Sequence, residues 1–185
     1  MDLQIALMLV QDGIVNGAIY ALMALALVLV FSVTRVIFIP QGEFVAYAAL
    51  AMAALQSGKL PPLLWMLLGM AALCLVVGAV RQARGLEVDW KSTLFWAVAL
   101  PALAALMLLV VKSQAMWLQV VAVLLLVTPM GPLVYRLAFR PLGHATVVIL
   151  LIVSVALHLA MVGLGLFFFG AEGSRTSAFS EAAWD

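Results

Sequence analysis

Residues 13–47 read GIVNGAIYALMALALVLVFSVTRVIFIPQGEFVAY, and this stretch decides the fold class. Gly13 to Thr34 is an uncharged run of about 22 residues, enough to cross a bilayer core as one helix. Arg35 ends it, and a short apolar piece follows before Pro40-Gln41-Gly42-Glu43 interrupts the pattern. A bilayer interior tolerates irregular backbone only where protein or a water-filled cavity surrounds it. The break is therefore either a plain loop or the lining of a pathway. As a loop, Arg35 is a topology anchor and Glu43 a first-turn acid facing the positive end of the next helix.

The rest of the chain agrees with a membrane setting. Of its 185 residues, 68% are hydrophobic and 9% charged, and the mean hydropathy is +1.26. A water-soluble domain carries about 25% charged residues, so this chain has too few to cover a soluble surface. The net charge is +1, and the basic residues sit between apolar runs rather than in a stripe suited to nucleic acid. Cys74 lies alone in an apolar run, which excludes a disulfide framework and a cysteine-histidine metal cluster. Met1-Asp2-Leu3 lacks a basic leader and a small-residue cleavage site, so the first helix is expected to stay in the mature protein.

The hydropathy pattern predicts an all-α polytopic transmembrane bundle of about six spans, near 5–33, 42–56, 62–80, 93–111, 115–135 and 146–169. Residues 1–170 form the membrane domain and 171–185 a polar tail, read as an interrupted periplasmic loop. The second span covers only about 22 Å at 1.5 Å per residue. It must take up part of 36–41, be partly re-entrant, or sit in a thinned region. Arg35, Arg81, Arg84, Lys91, Arg136 and Arg140 fall in the first, third and fifth connections. Lys59, Lys112 and Arg175 fall in the others. This asymmetry predicts an outside N-terminus with Arg35 and Arg140 cytoplasmic, and Asp2, Asp12, Glu172, Glu181 and Asp185 all fall on the outer side. Trp65, Trp96 and Trp117 lie near expected helix starts, as interfacial anchors do.

Several polar or small residues stand out within the spans. Gly13 and Gly17 are spaced G-x-x-x-G, with Tyr20 and Ala24 continuing the face and Asn16 beside it; this predicts a helix-packing face, with ligand contact by Asn16 or Tyr20 as the alternative. A leucine at Gly17 is accordingly expected to be more harmful than one at Gly78, near a helix end. Pro101 and Thr128-Pro129-Met130-Gly131-Pro132 predict bends. Tyr135 to Leu142 reads as a connection carrying two arginines. In the last span Ser154 and His158 share one face, with Gly163 and Gly165 beyond them. An intramembrane histidine is either satisfied structurally by Ser154 or a carbonyl, or lines a pathway.

Gly17, Tyr20-Ala21-Leu22, Ala24, Leu29, Phe31, Arg35-Val36-Ile37 and Gly42-Glu43 stand in the order of a known signature. They resemble the N-terminal region of the LivH-type permease subunits of branched-chain amino acid ABC transporters. Arg140-Pro141-Leu142 before an apolar span is a second, shorter likeness. The chain departs from that family at Ala26, usually Gly, and at Phe38-Ile39-Pro40-Gln41, usually Asn-Phe-Ala-His; Ser154 and Ala156 stand where Thr and Gly are usual. The resemblance implies a bacterial inner-membrane translocation subunit that binds no cofactor. ATP would be used by two cytoplasmic ATPase subunits, with a second related permease and a periplasmic amino acid-binding protein as further partners. It implies further spans and an ATPase-docking segment beyond residue 185.

Nothing in the chain offers a phosphate-cradling G-x-x-x-x-G-K-[ST] loop or a nucleophile-base-acid set, so no enzymatic activity is expected of it. The pathway candidates are Asn16, Tyr20, Gln41, Gly42, Glu43, Ser154 and His158. Two other functions compete: a membrane scaffold whose polar groups only join helices, and an independent channel for small amides.

Overall fold

The uncharged run that opens the chain folds as α1 (Leu3–Thr34), 32 residues long, or about 48 Å at 1.5 Å per residue. The computed structural model describes residues 3–110, 115–143, 145–174 and 176. Lys112, Arg175, Asp2, Glu181, Asp185 and tail residues 177–185 lie outside the described residues, and so does the topology reading placed on them. After α1 come α2 (Gln41–Gln56) and α3 (Leu63–Ala83). Three helices follow, α4 (Trp90–Leu109), α5 (Met116–Leu142) and α6 (Val147–Phe169). No strand occurs among the described residues.

All of these helices except α2 are long and apolar enough to cross a membrane. They expose large apolar side chains on their outer faces, such as Leu109 at 68%, Trp117 at 84% and Leu159 at 64%. So much contiguous apolar surface suits lipid and not water, and the chain is a multi-pass, all-α membrane bundle. In lipid, helices associate through close packing rather than through exclusion of water. Small residues and tightly fitted larger ones therefore mark the interior.

That interior lies between α2, α3, α4, α5 and α6. Leu63 and Leu67 of α3, Leu126, Met130 and Leu133 of α5, Ala51 of α2 and Ala104 of α4 are fully buried. The short second span is the centre of this packing, set chiefly against α5 and α6. Alanines at 48, 51, 53 and 54 keep α2 narrow, which lets neighbouring backbones close in.

α1 is the exception. It touches the bundle along a thin line at Met23 and Leu27 and is exposed elsewhere. Its last turn stands beside α5 across an apolar crevice lined by Val30, Thr34, Pro132, Tyr135 and Phe139.

Three expectations need correction. The segment 135–142 is not a free connection: α5 continues through it, widening to a π-turn at Tyr135–Phe139 and tightening to a 3-10 turn at Arg140–Leu142. Phe139 and Val134 are buried against Val36, so packing holds the backbone helical. Pro141 is tolerated because it enters at the start of a new turn, where its missing N–H costs little. Trp96 is not near a helix start, since α4 begins at Trp90, whose indole N–H donates to Gln82 Oε1 at 2.6 Å.

The third correction concerns glycine. Gly13 and Gly17 face open space, with no packed neighbour within 4 Å of where a Cβ would stand, whereas a Cβ on buried Gly78 would touch Trp90 and Val88 at 3.7 and 3.8 Å. Of these three glycines, Gly78 is the packed one within this chain. The turn around the expected bend at Pro101 also has a cause: a π-turn at Phe95–Ala99 precedes it, in the register where a proline lacks its amide and crowds the preceding carbonyl.

Candidate functional site

The break after α1 begins with an unusual helix ending. Arg35 takes φ 58° and its amide reaches the Phe31 carbonyl at 2.9 Å, the left-handed termination that glycine normally supplies. An L-residue there costs about 1–2 kcal/mol. Thr34 helps hold it, because its hydroxyl donates to the Val30 carbonyl at 2.7 Å and accepts the Val36 amide at 3.2 Å.

The chain then runs without helix from Arg35 to Pro40, and after the exposed Arg35 it is partly or fully covered by protein. Val36 and Pro40 are buried. Phe38 packs its ring against Phe44 and Phe139, with centroids 5.7 and 6.1 Å apart. The Ile39 amide donates to the fully buried Ser154 hydroxyl at 2.9 Å. Such protein cover is the condition for irregular backbone at membrane depth.

Depth follows from which residues meet. Ile39 is beside Ser154, Glu43 beside His158, and Tyr47 beside Met161. The two segments thus run parallel, and α2 starts about two turns inside α6. His158 stands at the middle of α6 (Val147–Phe169). Independently, Gln41 Nε2 donates to the Met23 carbonyl at 3.1 Å, about 16 Å up α1 from its end at 1.5 Å per residue. The N-terminus of α2 therefore lies level with the middle of α6, and the second span is a short helix preceded by non-helical chain.

Glu43 and His158 form the polar centre. Glu43 Oε1 and His158 Nδ1 are 2.8 Å apart, with side chains 14% and 35% exposed. The ring nitrogen is close enough for charge pairing but is not aligned as a hydrogen-bond donor. Glu43 Oε2 and Gln41 Oε1 are buried without a partner. Two unpaired acceptor oxygens in a low-dielectric interior are costly, about 1–3 kcal/mol each, and they suit a ligand carrying N–H donors. The opening N–H groups of α2 have no side-chain cap, and the positive end of a helix suits an anion.

Of the expected residues, the structure pairs Glu43 with His158 and sets Ser154, one turn earlier on α6, against the Ile39 amide; Gln41 turns its amide to the Met23 carbonyl of α1 instead. Gly42 is adjacent but has open space at its Cβ position, so no contact in this chain demands glycine. Asn16 and Tyr20 lie on the exposed face of α1, Tyr20 at 72%, and do not converge on this centre. Gly13 and Gly17 share that unpartnered helix. The Ser154-to-His158 satisfaction considered from sequence is not formed; Ser154 serves the Ile39 amide and His158 faces Glu43.

Two residues of the seam were not singled out from sequence for it. Tyr47 is 2% exposed, donates its hydroxyl to the Met161 carbonyl and stacks on Phe169 at 5.8 Å. Gly165 lets it in, since a Cβ there would be 3.0 Å from the Tyr47 ring. Both were legible in principle: Tyr47 is one turn beyond Glu43, and residues 154, 158, 161 and 165 keep the 4-3-4 spacing of one helical face. No family model matches the chain, and neither a curated protein nor a solved structure is significantly similar to it.

Proposed function

We propose that this chain is a translocation subunit of an ATP-driven importer of branched-chain or related small amino acids in the bacterial inner membrane. One observation carries the reading: the interrupted second span sets Glu43 against His158 at the middle of α6, beside the uncapped start of α2. Interrupted helices that point a half-helix end at the bilayer midplane are a recurrent way to build a substrate site in transporters. The uncapped N–H groups complement a carboxylate, and the unpaired Glu43 Oε2 complements an ammonium group, so the two features together fit an amino acid zwitterion. The sequence resemblance to LivH-type permeases points to the same substrate class.

In this reading the chain has no catalytic activity and binds no ATP. It works with a second related permease, two cytoplasmic ATPase subunits and a periplasmic amino acid-binding protein, and the bare surface of α1 supports a helix partner from outside the chain. Proteoliposomes holding the chain extended by the spans and docking segment that the resemblance implies, with the ATPase, binding protein and second permease encoded beside it, provide the test. Radiolabelled leucine uptake should require ATP, and Gln41→Leu with Glu43→Leu should lower it at least tenfold at unchanged membrane level, since a charge-assisted contact is worth about 1.5–3 kcal/mol. Unaltered uptake would leave the start of α2 a purely structural element, and absence of ATP-dependent uptake by the full set would refute the importer reading.

A further inference from the structure

At the other end of α3 the arginines are arranged differently from simple topology anchors. Val76, Val80 and Arg81 of α3, Arg84 just past its end and Pro141 at the end of α5 line an open groove. Its lower part is apolar, with Val76 and Val80 59% and 46% exposed, and its mouth is basic. Arg81 also lines the adjoining crevice with Arg136 and Arg140.

No acid among the described residues lies within 4 Å of these guanidinium groups, and the negative charge beside them is Asp89, which shares a crevice with Arg136 and Arg140. Among the described residues the one charged contact within 4 Å is Glu43 with His158. Asp89 spends Oδ1 on the Ser92 amide, and Glu87 is exposed without such a contact. Arg136 is held by the hydroxyls of Ser92 and Thr93. Arg81 Nε is buried with no acceptor at all. Arg81, Arg84 and Arg140 outweigh Asp89 and the roughly half negative charge of a helix C-terminus together, so the basic part of the groove is a site for an anion.

We propose that this groove binds an anionic phospholipid, its phosphate at Arg81 and Arg84 with Arg140 nearby and an acyl chain along Val76 and Val80. Apolar contact below and cationic contact above are the two parts of such a molecule, and basic pockets at the ends of membrane helices recognise phosphate headgroups in this manner. A free phosphate would use only the upper half. The proposal stands apart from the transport reading, since it involves neither the Glu43–His158 centre nor any partner subunit.

Native mass spectrometry of the full chain, in detergent with equal amounts of dioleoyl phosphatidylglycerol and phosphatidylcholine, tests it. We expect the first lipid to be retained about tenfold over the second, each cation at the surface contributing a few-fold. Arg81→Gln with Arg84→Gln should remove that preference, and Arg81→Lys with Arg84→Lys should keep most of it. Arg84→Gln alone, on an exposed side chain at the helix end, should lower it several-fold even if the double variant fails to fold. Equal retention of the two lipids by the unaltered chain would overturn the proposal. So would an equal loss in Arg35→Gln, which lies outside the groove, or full displacement of the lipid by inorganic phosphate.

Discussion

Gly163 and Gly165 lie two residues apart on α6, and an alanine should affect them in opposite ways. At Gly163 a Cβ would meet nothing within 4 Å, whereas at Gly165 it would lie 3.0 Å from Tyr47 Cε1 and 3.5 Å from the hydroxyl oxygen. Ordinary carbon contacts begin near 3.5 Å, so the ring must retreat by several tenths of an ångström. It has little room: the side chain is 2% exposed, bonded to the Met161 carbonyl and stacked on Phe169. Overpacking at such a site costs about 1–3 kcal/mol, partly offset by the roughly 0.8–1 kcal/mol that alanine gains over glycine in a helix. Gly163→Ala receives the gain without the clash, so the two variants should differ by about 1–3 kcal/mol. Unfolding in mixed detergent micelles, followed by tryptophan fluorescence, measures this. Tyr47→Leu provides the cycle, because Gly165→Ala should cost markedly less in that background. Equal stability of the two alanine variants, or strict additivity with Tyr47→Leu, would refute the claim that Tyr47 locks α2 onto α6.

Ser154→Ala should lower stability by about 1–3 kcal/mol in the same assay, because it strands the Ile39 amide away from water; Ser32→Ala, whose exposed hydroxyl reaches only the Leu29 carbonyl of its own helix, should change little. Gly78→Leu should reduce the yield of monodisperse protein, given Trp90 and Val88 beside it, while Gly17→Leu should leave the isolated chain unaffected; the reverse order would show that α1 packs through its glycines within the chain. A cysteine at Arg84 should be labelled by an impermeant thiol reagent only from the cytoplasmic side, and labelling from the periplasm would overturn the topology drawn from the loop arginines. Arg136→Leu should loosen the start of α4 through loss of its contacts with Ser92 and Thr93, seen as faster hydrogen exchange at Trp90–Leu94.

The membrane class, the number of helices and most of their limits were determined by the sequence alone. They depend on runs of apolar residues long enough to satisfy every backbone group within one segment, a property that is local in the chain. The prolines and Arg35 likewise announced where α1, α4 and α5 would end or deform, though not that packing on Phe139 would keep Tyr135 to Leu142 helical. Glu43, Ser154 and His158 could be singled out one by one, because a polar side chain in an apolar run is conspicuous wherever it goes. Their meeting could not be read, since Ile39 and Ser154 are 115 positions apart and the apolar faces of these helices are nearly continuous, so no periodicity says which face turns to which neighbour. Only the tertiary structure decided that α2 begins level with the middle of α6 and that Tyr47 occupies the place of a missing side chain at Gly165. It also left Gly13 and Gly17 bare: in lipid an apolar helix face is equally at home against hydrocarbon or another helix, and close fit alone selects between them.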